Sequence, residues 1–261
     1  MELKPGYQQT EVGVIPMGWS LKQVQQIVDG SKISSGVYKD KNLYGRGSQI
    51  IKLGDVFSSD YFDPNSAQRA ELSNDEVSVY RVRVGDIIIA LASVKLEGVG
   101  KVMLVTKLTE ETVYDHNVAL IRLIGKFDQR YVFYLFKSNI VRKLIGSKAT
   151  QVGTTFLKTS TIREFVLPFP ILKAEQTAIA NALSDADALI QSLTHFITKK
   201  RQIKQGAMQT LLNPYENGRL KEGWVVKKLG EIFEITAGGD LRKNEFSKTA
   251  DENHQYPIYS N

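Results

Sequence analysis

The 261-residue sequence predicts an α+β fold, a mixed and mostly antiparallel sheet domain followed by a long coiled-coil-forming α-helix. Three observations predict it. Residues 19 to about 170 carry short apolar runs bounded by turn residues, and one segment within them changes to helical spacing. From Ala174 to Gln205 there is then neither proline nor glycine.

The strand runs come first. Ile50-Ile51-Lys52-Leu53 precedes Gly54-Asp55, Val82-Arg83-Val84 precedes Gly85-Asp86, and Ile87 to Leu91 is continuously apolar. Val99–Val105 and Val118–Leu123 continue the pattern, rich in β-formers and bounded by Gly, Asp or Asn. Between Leu123 and Gly146 the spacing of Tyr131, Tyr134, Leu135, Ser138, Val141, Arg142 and Ile145 predicts one helix of moderate length. Pro168 and Pro170 punctuate the end of this first domain, residues 1–172.

In the next segment, 173–213, apolar residues recur at 179, 183, 186, 190, 193 and 197, a 4-3-4-3-4 spacing that makes a seam on one helix. Ile179, Leu183, Ile190, Leu193 and Ile197 form it, and Leu211 carries the apolar face onward past the cluster Lys199, Lys200, Arg201 and Lys204. Continued to Leu212, the helix would be about 57 Å long at 1.5 Å per residue. A domain of about 170 residues is nearer 30–40 Å across, so part of the seam needs another partner. Asn213-Pro214 stops the helix.

Beyond it, Gly223-Trp224-Val225-Val226-Lys227-Lys228-Leu229-Gly230-Glu231-Ile232 repeats Gly18-Trp19-Ser20-Leu21-Lys22-Gln23-Val24-Gln25-Gln26-Ile27 at an offset of 205 residues. Gly, Trp, Lys and Ile are identical, so residues 214–261 read as the start of a second copy of the first domain. That copy reaches Asn261 before a sheet equivalent to residues 48–123 could be completed. Trp19 and Trp224, at equivalent places, read as core anchors.

Hydrophobic residues make up 42%, enough for a buried core, and no stretch approaches the roughly 18 apolar residues that span a bilayer. A soluble, cytoplasmic protein without membrane contact is expected. There are no cysteines, which excludes disulfides and thiolate metal sites, and His116, His195 and His254 lack metal-ligand spacing. The net charge of +6 fits a polyanion partner, because cationic side chains displace counterions from nucleic acid.

Leu167-Pro168-Phe169-Pro170-Ile171-Leu172-Lys173-Ala174-Glu175-Gln176-Thr177-Ala178-Ile179-Ala180 resembles the lead-in to the conserved helix of type I restriction-modification specificity subunits, "IPLPPL-x-EQ-x-x-IA", departing at Phe169. Leu183, Asp187, Ile190, Lys204, Gln205, Gly206, Met208, Gln209, Leu211 and Leu212 are similar to the rest of that helix, with Ile203 and Ala207 replacing its usual leucines. Trp19-x-Leu21, Gly85-Asp86-Ile87 and Gly98-x-Gly100-Lys101 resemble the family's target-recognition domain. The resemblance implies a non-catalytic chain without cofactors that reads double-stranded DNA and docks methyltransferase subunits and, indirectly, restriction subunits. It implies a bipartite site methylated on adenine, two recognition domains each reading one half, and two long helices paired antiparallel to set the gap. Half-sites one duplex turn apart lie about 34–36 Å from centre to centre, so a rigid helix of about 57 Å has the right scale. If the chain ends naturally at Asn261, the unpaired seam predicts a homodimer.

Base readout and phosphate contact need polar or basic side chains on loops that can reach the duplex. Four segments qualify: Lys32, Ser34, Ser35, Lys39, Lys41 and Arg46; Ser93 and Lys95; His116 and Asn117; and Lys148, Thr150, Gln151 and Thr154. Catalytic motifs are missing. Asn213-Pro214-Tyr215 lacks the second proline of an adenine methyltransferase motif, no Walker-type loop exists, and Glu2-Leu3-Lys4 is a bare fragment of a nuclease signature. The alternative is an interaction scaffold or antirestriction-type module without sequence-specific DNA binding, although a DNA mimic should be acidic.

Overall fold

In the computed structural model, which describes residues 4–234, the apolar runs become short strands. A hairpin of β1 (Tyr7–Thr10) and β2 (Gly13–Pro16) leads into β3 (Trp19–Gln23), β4 (Ser34–Ser35) and β5 (Tyr44–Ile51). Helix α1 (Leu53–Ser58), β6 (Gln68–Ala70) and α2 (Asn74–Val79) follow. Next come β7 (Ile87–Ala90), β8 (Ala92–Ser93), β9 (Val102–Leu104), β10 (Thr112–Tyr114) and β11 (Val118–Ile121). Helices α3 (Gln129–Lys137) and α4 (Asn139–Lys148) precede a hairpin of β12 (Thr150–Val152) and β13 (Thr154–Phe156). The short α5 (Thr159–Glu164) and β14 (Val166–Pro170) then lead to α6 (Lys173–Leu211).

The central sheet has the order β4-β11-β7-β9 and is antiparallel throughout. A second sheet, β10-β5-β6, contains a parallel pair, β10 with β5, which makes the fold mixed. β7 and β11 are buried on both faces, and this is why the Ile87 run shows no polar alternation. Ile87, Ile89 and Ala119 face the cluster containing Val132, Phe133, Phe136, Val141 and Ile145 of the helices. Ile88, Ala90 and Leu120 face the other side, with Ile51, Val56, Phe62 and Met103. The side-chain period of two thus divides one apolar run between two cores.

The single helix expected between Leu123 and Gly146 is two, α3 and α4, broken at Ser138, whose backbone is extended (φ −69°, ψ 157°). The burial pattern requires the break. α3 buries Tyr131, Val132, Phe133, Leu135 and Phe136, whereas α4 buries Val141 and Ile145. At 3.6 residues per turn, a straight helix would place Val141 and Ile145 roughly 180–220° round from Val132, on the opposite face. Extending Ser138 re-aims the second helix at the same core.

α6 runs for 39 residues, about 58 Å, and its root is tied to the sheet domain. Buried Gln176 accepts from the Asp128 N–H through Oε1 (3.1 Å) and donates from Nε2 to the Pro170 carbonyl (3.0 Å). Asp128 also accepts from Thr177 Oγ1 (2.8 Å) and caps α3 by accepting from the N–H groups of Arg130 and Tyr131. Trp19 Nε1 donates to Glu175 Oε1 (2.9 Å), and its ring meets Tyr131 edge-on at 6.2 Å, as the anchor role requires. Tyr134 reaches further along the helix, donating to Asp187 (2.9 Å). Past Ala180 no residue of α6 is buried. Ile179 packs partly on the core, while Leu183, Ile190, Leu193, Ile197 and Leu211 are 41–72% exposed.

The described residues up to Leu193 and those from Thr194 onward form two compact units. In the second, β15 (Tyr215–Glu216) and β16 (Arg219–Leu220) make a hairpin. Leu229–Glu231 then forms a 3-10 turn at the same 205-residue offset from the 3-10 turn Val24–Gln26. Trp224 is 40% exposed. Residues 235–261, with His254 and the rest of the expected second copy, lie outside the described residues.

Candidate nucleic-acid interface

Segments far apart in sequence meet at one end of the central sheet, where β11 begins at Val118 opposite Ala90, the last residue of β7. The 115–117 turn sits there. The 34–37 segment is laced to it, since Val37 N–H donates to the Tyr114 carbonyl (2.9 Å), His116 N–H to Val37 (3.1 Å) and Gly36 N–H to Val118 (3.2 Å). A side chain at Gly36 would collide with the Tyr114 carbonyl, so glycine allows the approach. On the other side, Leu91 N–H donates to the Asn117 carbonyl (3.0 Å) and Leu157 N–H to that of Leu91 (2.8 Å). β8 pairs with β13, whose partner is β12. One continuous edge therefore carries the residues from Ser34, through His116 and Ser93, to Thr154.

A buried carboxylate shapes the middle of this edge. Asp115 accepts from Asn117 N–H (2.9 Å), Asn117 Nδ2 (3.0 Å) and Tyr44 Oη (3.2 Å), and its Oδ2 lies 3.2 Å from His116 Nδ1. Burial, reinforced by the Asp115 charge, pushes the Tyr44 hydroxyl up to about 12, so it stays a donor to Asp115 at neutral pH. Lys52 Nζ lies 4.1 Å from the centre of the Tyr44 ring, supplying a cation nearby.

Lys32, Ser34, Ser35, Lys41, Arg46, Lys95, Lys148, Thr150 and Thr154 are exposed, and His116 and Asn117 half-buried. Gln151 lies on β12 opposite Thr155. Two expected contact residues are otherwise engaged. Lys39 is paired with Glu76 at 2.7 Å, its side chain 14% exposed. Ser93 is buried, with Oγ accepting from the Lys95 N–H (3.2 Å), so it braces the turn. Lys41 lies on a 3-10 turn and Arg46 on the irregular part of β5, where it pairs with Glu71.

Three exposed residues on or beside this edge escaped the sequence reading: Tyr38, Val94 and Phe156, at 67%, 79% and 43%. Tyr38 meets His116 edge-on at 4.8 Å. Val94 stands alone between polar neighbours, whereas Tyr38 follows Val37 and Phe156 precedes Leu157, so nothing local marks those two as exposed. Among the described residues no group of three or more His, Cys, Asp or Glu could hold a metal, and no helix is long and apolar enough to cross a membrane.

Residues 18–205 match the family model of the type I restriction modification DNA specificity domain, a span that includes both the exposed edge and the root of α6. The chain belongs to this family. Two similar relatives come from Methanocaldococcus jannaschii. One is a putative type I restriction enzyme MjaX specificity subunit, 25% identical over 93% of this chain and 59% of its own length. The other is the type I restriction enzyme MjaIX specificity subunit, 25% identical over 92% of this chain and 57% of its own length. The chain thus spans under three-fifths of each. Among solved structures, the fold is similar to a chain from a type I R-M system studied for complex assembly and conformational transition. The TM-score is 0.58 at 15% identity, covering 76% of this chain and 46% of that one. It also resembles the HsdS subunit of Thermoanaerobacter tengcongensis, with a TM-score of 0.52 at 14% identity over 73% of this chain and 42% of that one. The α+β fold with its long helix is like that of these structures.

Proposed function

We propose that this chain is the non-catalytic, sequence-reading part of a type I restriction-modification complex, directing adenine methylation and restriction to a bipartite DNA site. The observation that carries the reading is the convergence of the 34–37, 92–95, 115–117 and 150–156 segments on one edge of a sheet domain whose other elements hold a 58 Å helix. Lys32, Ser34, Ser35, Lys95, His116, Asn117, Lys148, Thr150, Gln151 and Thr154 contact one half-site. Lys41 and Arg46 reach flanking phosphates.

The exposed seam Leu183, Ile190, Leu193, Ile197 and Leu211, with Ile179 at its start, docks methyltransferase subunits and a second long helix. Restriction subunits join through the methyltransferase. The second helix comes either from a further domain of the same protein or from a second copy of this chain. Residues 1–172 act as the reading domain, 173–213 as the spacer and 214–261 as the start of a second reading domain. The working complex is cytoplasmic.

The test is methylome sequencing of cells expressing this chain with its methyltransferase, before and after residues 20–165 are exchanged for those of a relative. One half of the methylated sequence should change and the other stay. Two unchanged halves would refute the assignment, and DNA binding with no preferred site would favour a scaffold.

A further inference from the structure

Val94 is 79% exposed at the apex of the turn between β8 and the Gly98–Lys101 segment, next to exposed Lys95. A single exposed valine is unremarkable on a protein surface. What sets this one apart is how tightly its turn is held. Ser93 Oγ accepts from the Lys95 N–H (3.2 Å), and the Gly98 N–H donates to the Lys95 carbonyl (3.0 Å). Gly98 lies so close to Ser93 Oγ that a Cβ there would collide with it. From beneath, the Arg142 guanidinium donates to three carbonyls, Val99 (2.7 Å), Leu96 (3.2 Å) and Glu97 (3.2 Å). Gly100, at φ +72°, packs where a Cβ would meet Ile145 of the same helix. One guanidinium bonded to three of its carbonyls holds the turn in place beneath the exposed valine.

The neighbouring surface is built for the same side. In the β8–β13 register Ser93 faces Thr155 and both are buried, whereas Phe156, opposite Ala92, is 43% exposed. Alternation therefore turns Ala92 and Phe156 outward beside the Val94 apex. A rigid apolar tip flanked by a lysine, an outward phenylalanine and the exposed hydroxyl of Thr154 can read one feature of duplex DNA. In the major groove the only apolar group that distinguishes a base is the 5-methyl of thymine. Valine is shorter than the Phe, Leu, Ile and Met side chains that wedge between base pairs from the minor groove, and its tip suits a methyl group in the major groove better.

We propose that Val94 is a specificity-determining residue that packs on the 5-methyl group of one thymine in the half-site, with Arg142 as a positioning residue that fixes the tip. This rests on the DNA-reading function proposed above. Once methylome sequencing has given the site, each thymine in it is replaced singly by deoxyuridine, which removes only the methyl group. Binding of the full chain with its methyltransferase is then measured by fluorescence anisotropy.

One replacement should weaken wild-type binding about fourfold, the worth of one methyl-sized apolar contact. In Val94→Ala the same replacement should change binding less than about twofold, by the same reasoning. Arg142→Lys, which keeps the charge but cannot span three carbonyls, should weaken the same thymine's discrimination and leave the other positions unchanged. A half-site without thymine, or deoxyuridine effects of equal size in wild type and Val94→Ala, overturns this inference alone. A complex with no sequence preference at all overturns the proposed function as well.

Discussion

Replacing Gln176 by leucine tests whether the glutamine at the root of α6 holds the helix to the reading domain. Leucine is of similar volume but has no amide, at a site only 2% exposed, so little cavity is created while the hydrogen bonds are removed. What is lost is the bond from the Asp128 N–H to Oε1 and that from Nε2 to the Pro170 carbonyl. A buried group left without its partner costs about 1–3 kcal/mol, so the pair costs about 2–6 kcal/mol. Burying the added apolar surface returns about 1–2 kcal/mol. Taking the middle of each range, the net is a loss of about 2.5 kcal/mol, which for a unit of this size lowers Tm by roughly 5–10 °C. Differential scanning calorimetry of the full chain is the assay, with Ala178→Leu, an exposed neighbour on the same turn, as the control expected within about 0.5 kcal/mol of wild type. If Gln176→Leu melted within about 2 °C of wild type, an error smaller than one hydrogen bond on this scale, the idea that these two bonds fasten the helix would be wrong.

Arg122→Met should be more damaging still. It strands Asp86, 2% exposed, whose carboxylate accepts from Arg122 Nε (2.8 Å) and Nη2 (2.6 Å), and breaking such a pair costs about 3–5 kcal/mol in urea unfolding. Asp86→Leu combined with Arg122→Met should recover much of that loss. The Lys39 ammonium, followed by backbone and hydroxyl contacts at Ser73, holds the Glu76 carboxyl below its ordinary value. A depressed carboxyl stabilises the fold above its unfolded pKa and loses that effect as pH falls through the folded one. The stability gap between wild type and Glu76→Gln should therefore narrow on acidification in urea titrations. For DNA binding, Lys32→Ala with Lys148→Ala should reduce the slope of log K against log salt by about 1.8, the value for two lost phosphate contacts. Lys39→Ala should leave that slope unchanged, because its ammonium is already held by Glu76. On the helix, Leu193→Asp with Ile197→Asp should abolish co-purification with the methyltransferase without lowering Tm, since both side chains are half exposed.

The parts of this fold set by local periodicity could be read from the residues alone. Ile87 to Leu91 reads as strand because its apolar run is short and bounded by Gly-Asp, and α6 ends within two residues of the expected 213 because no proline intervenes before Pro214, Gly206 being carried inside the helix. The break at Ser138 was invisible, since it answers to which side of the sheet the next helix must cover. Candidate contact residues were harder for the same reason. Lys39 and Lys41 look alike in sequence, and only folding brings Glu76, 37 residues away, against one of them. Ser93 is a contact candidate by its polarity, and Val94 carries no such signal. Polarity suggested a free serine, but the β8–β13 register turns the serine inward and leaves the valine at the tip.

β11 is four residues long, about 13 Å at the usual rise; it begins at the 115–117 turn, and the chain leaving its other end reaches, seven residues on, Asp128, the hub that Gln176 and Thr177 grip. On the function proposed above, the part of the molecule that must change to acquire a new target and the part that must not change lie at opposite ends of one short strand. Loops at the first end can be exchanged, lengthened or recharged while the bonds at the other are inherited intact. Such a layout lets a lineage diversify its vocabulary of DNA words quickly without rebuilding the machine that acts on them.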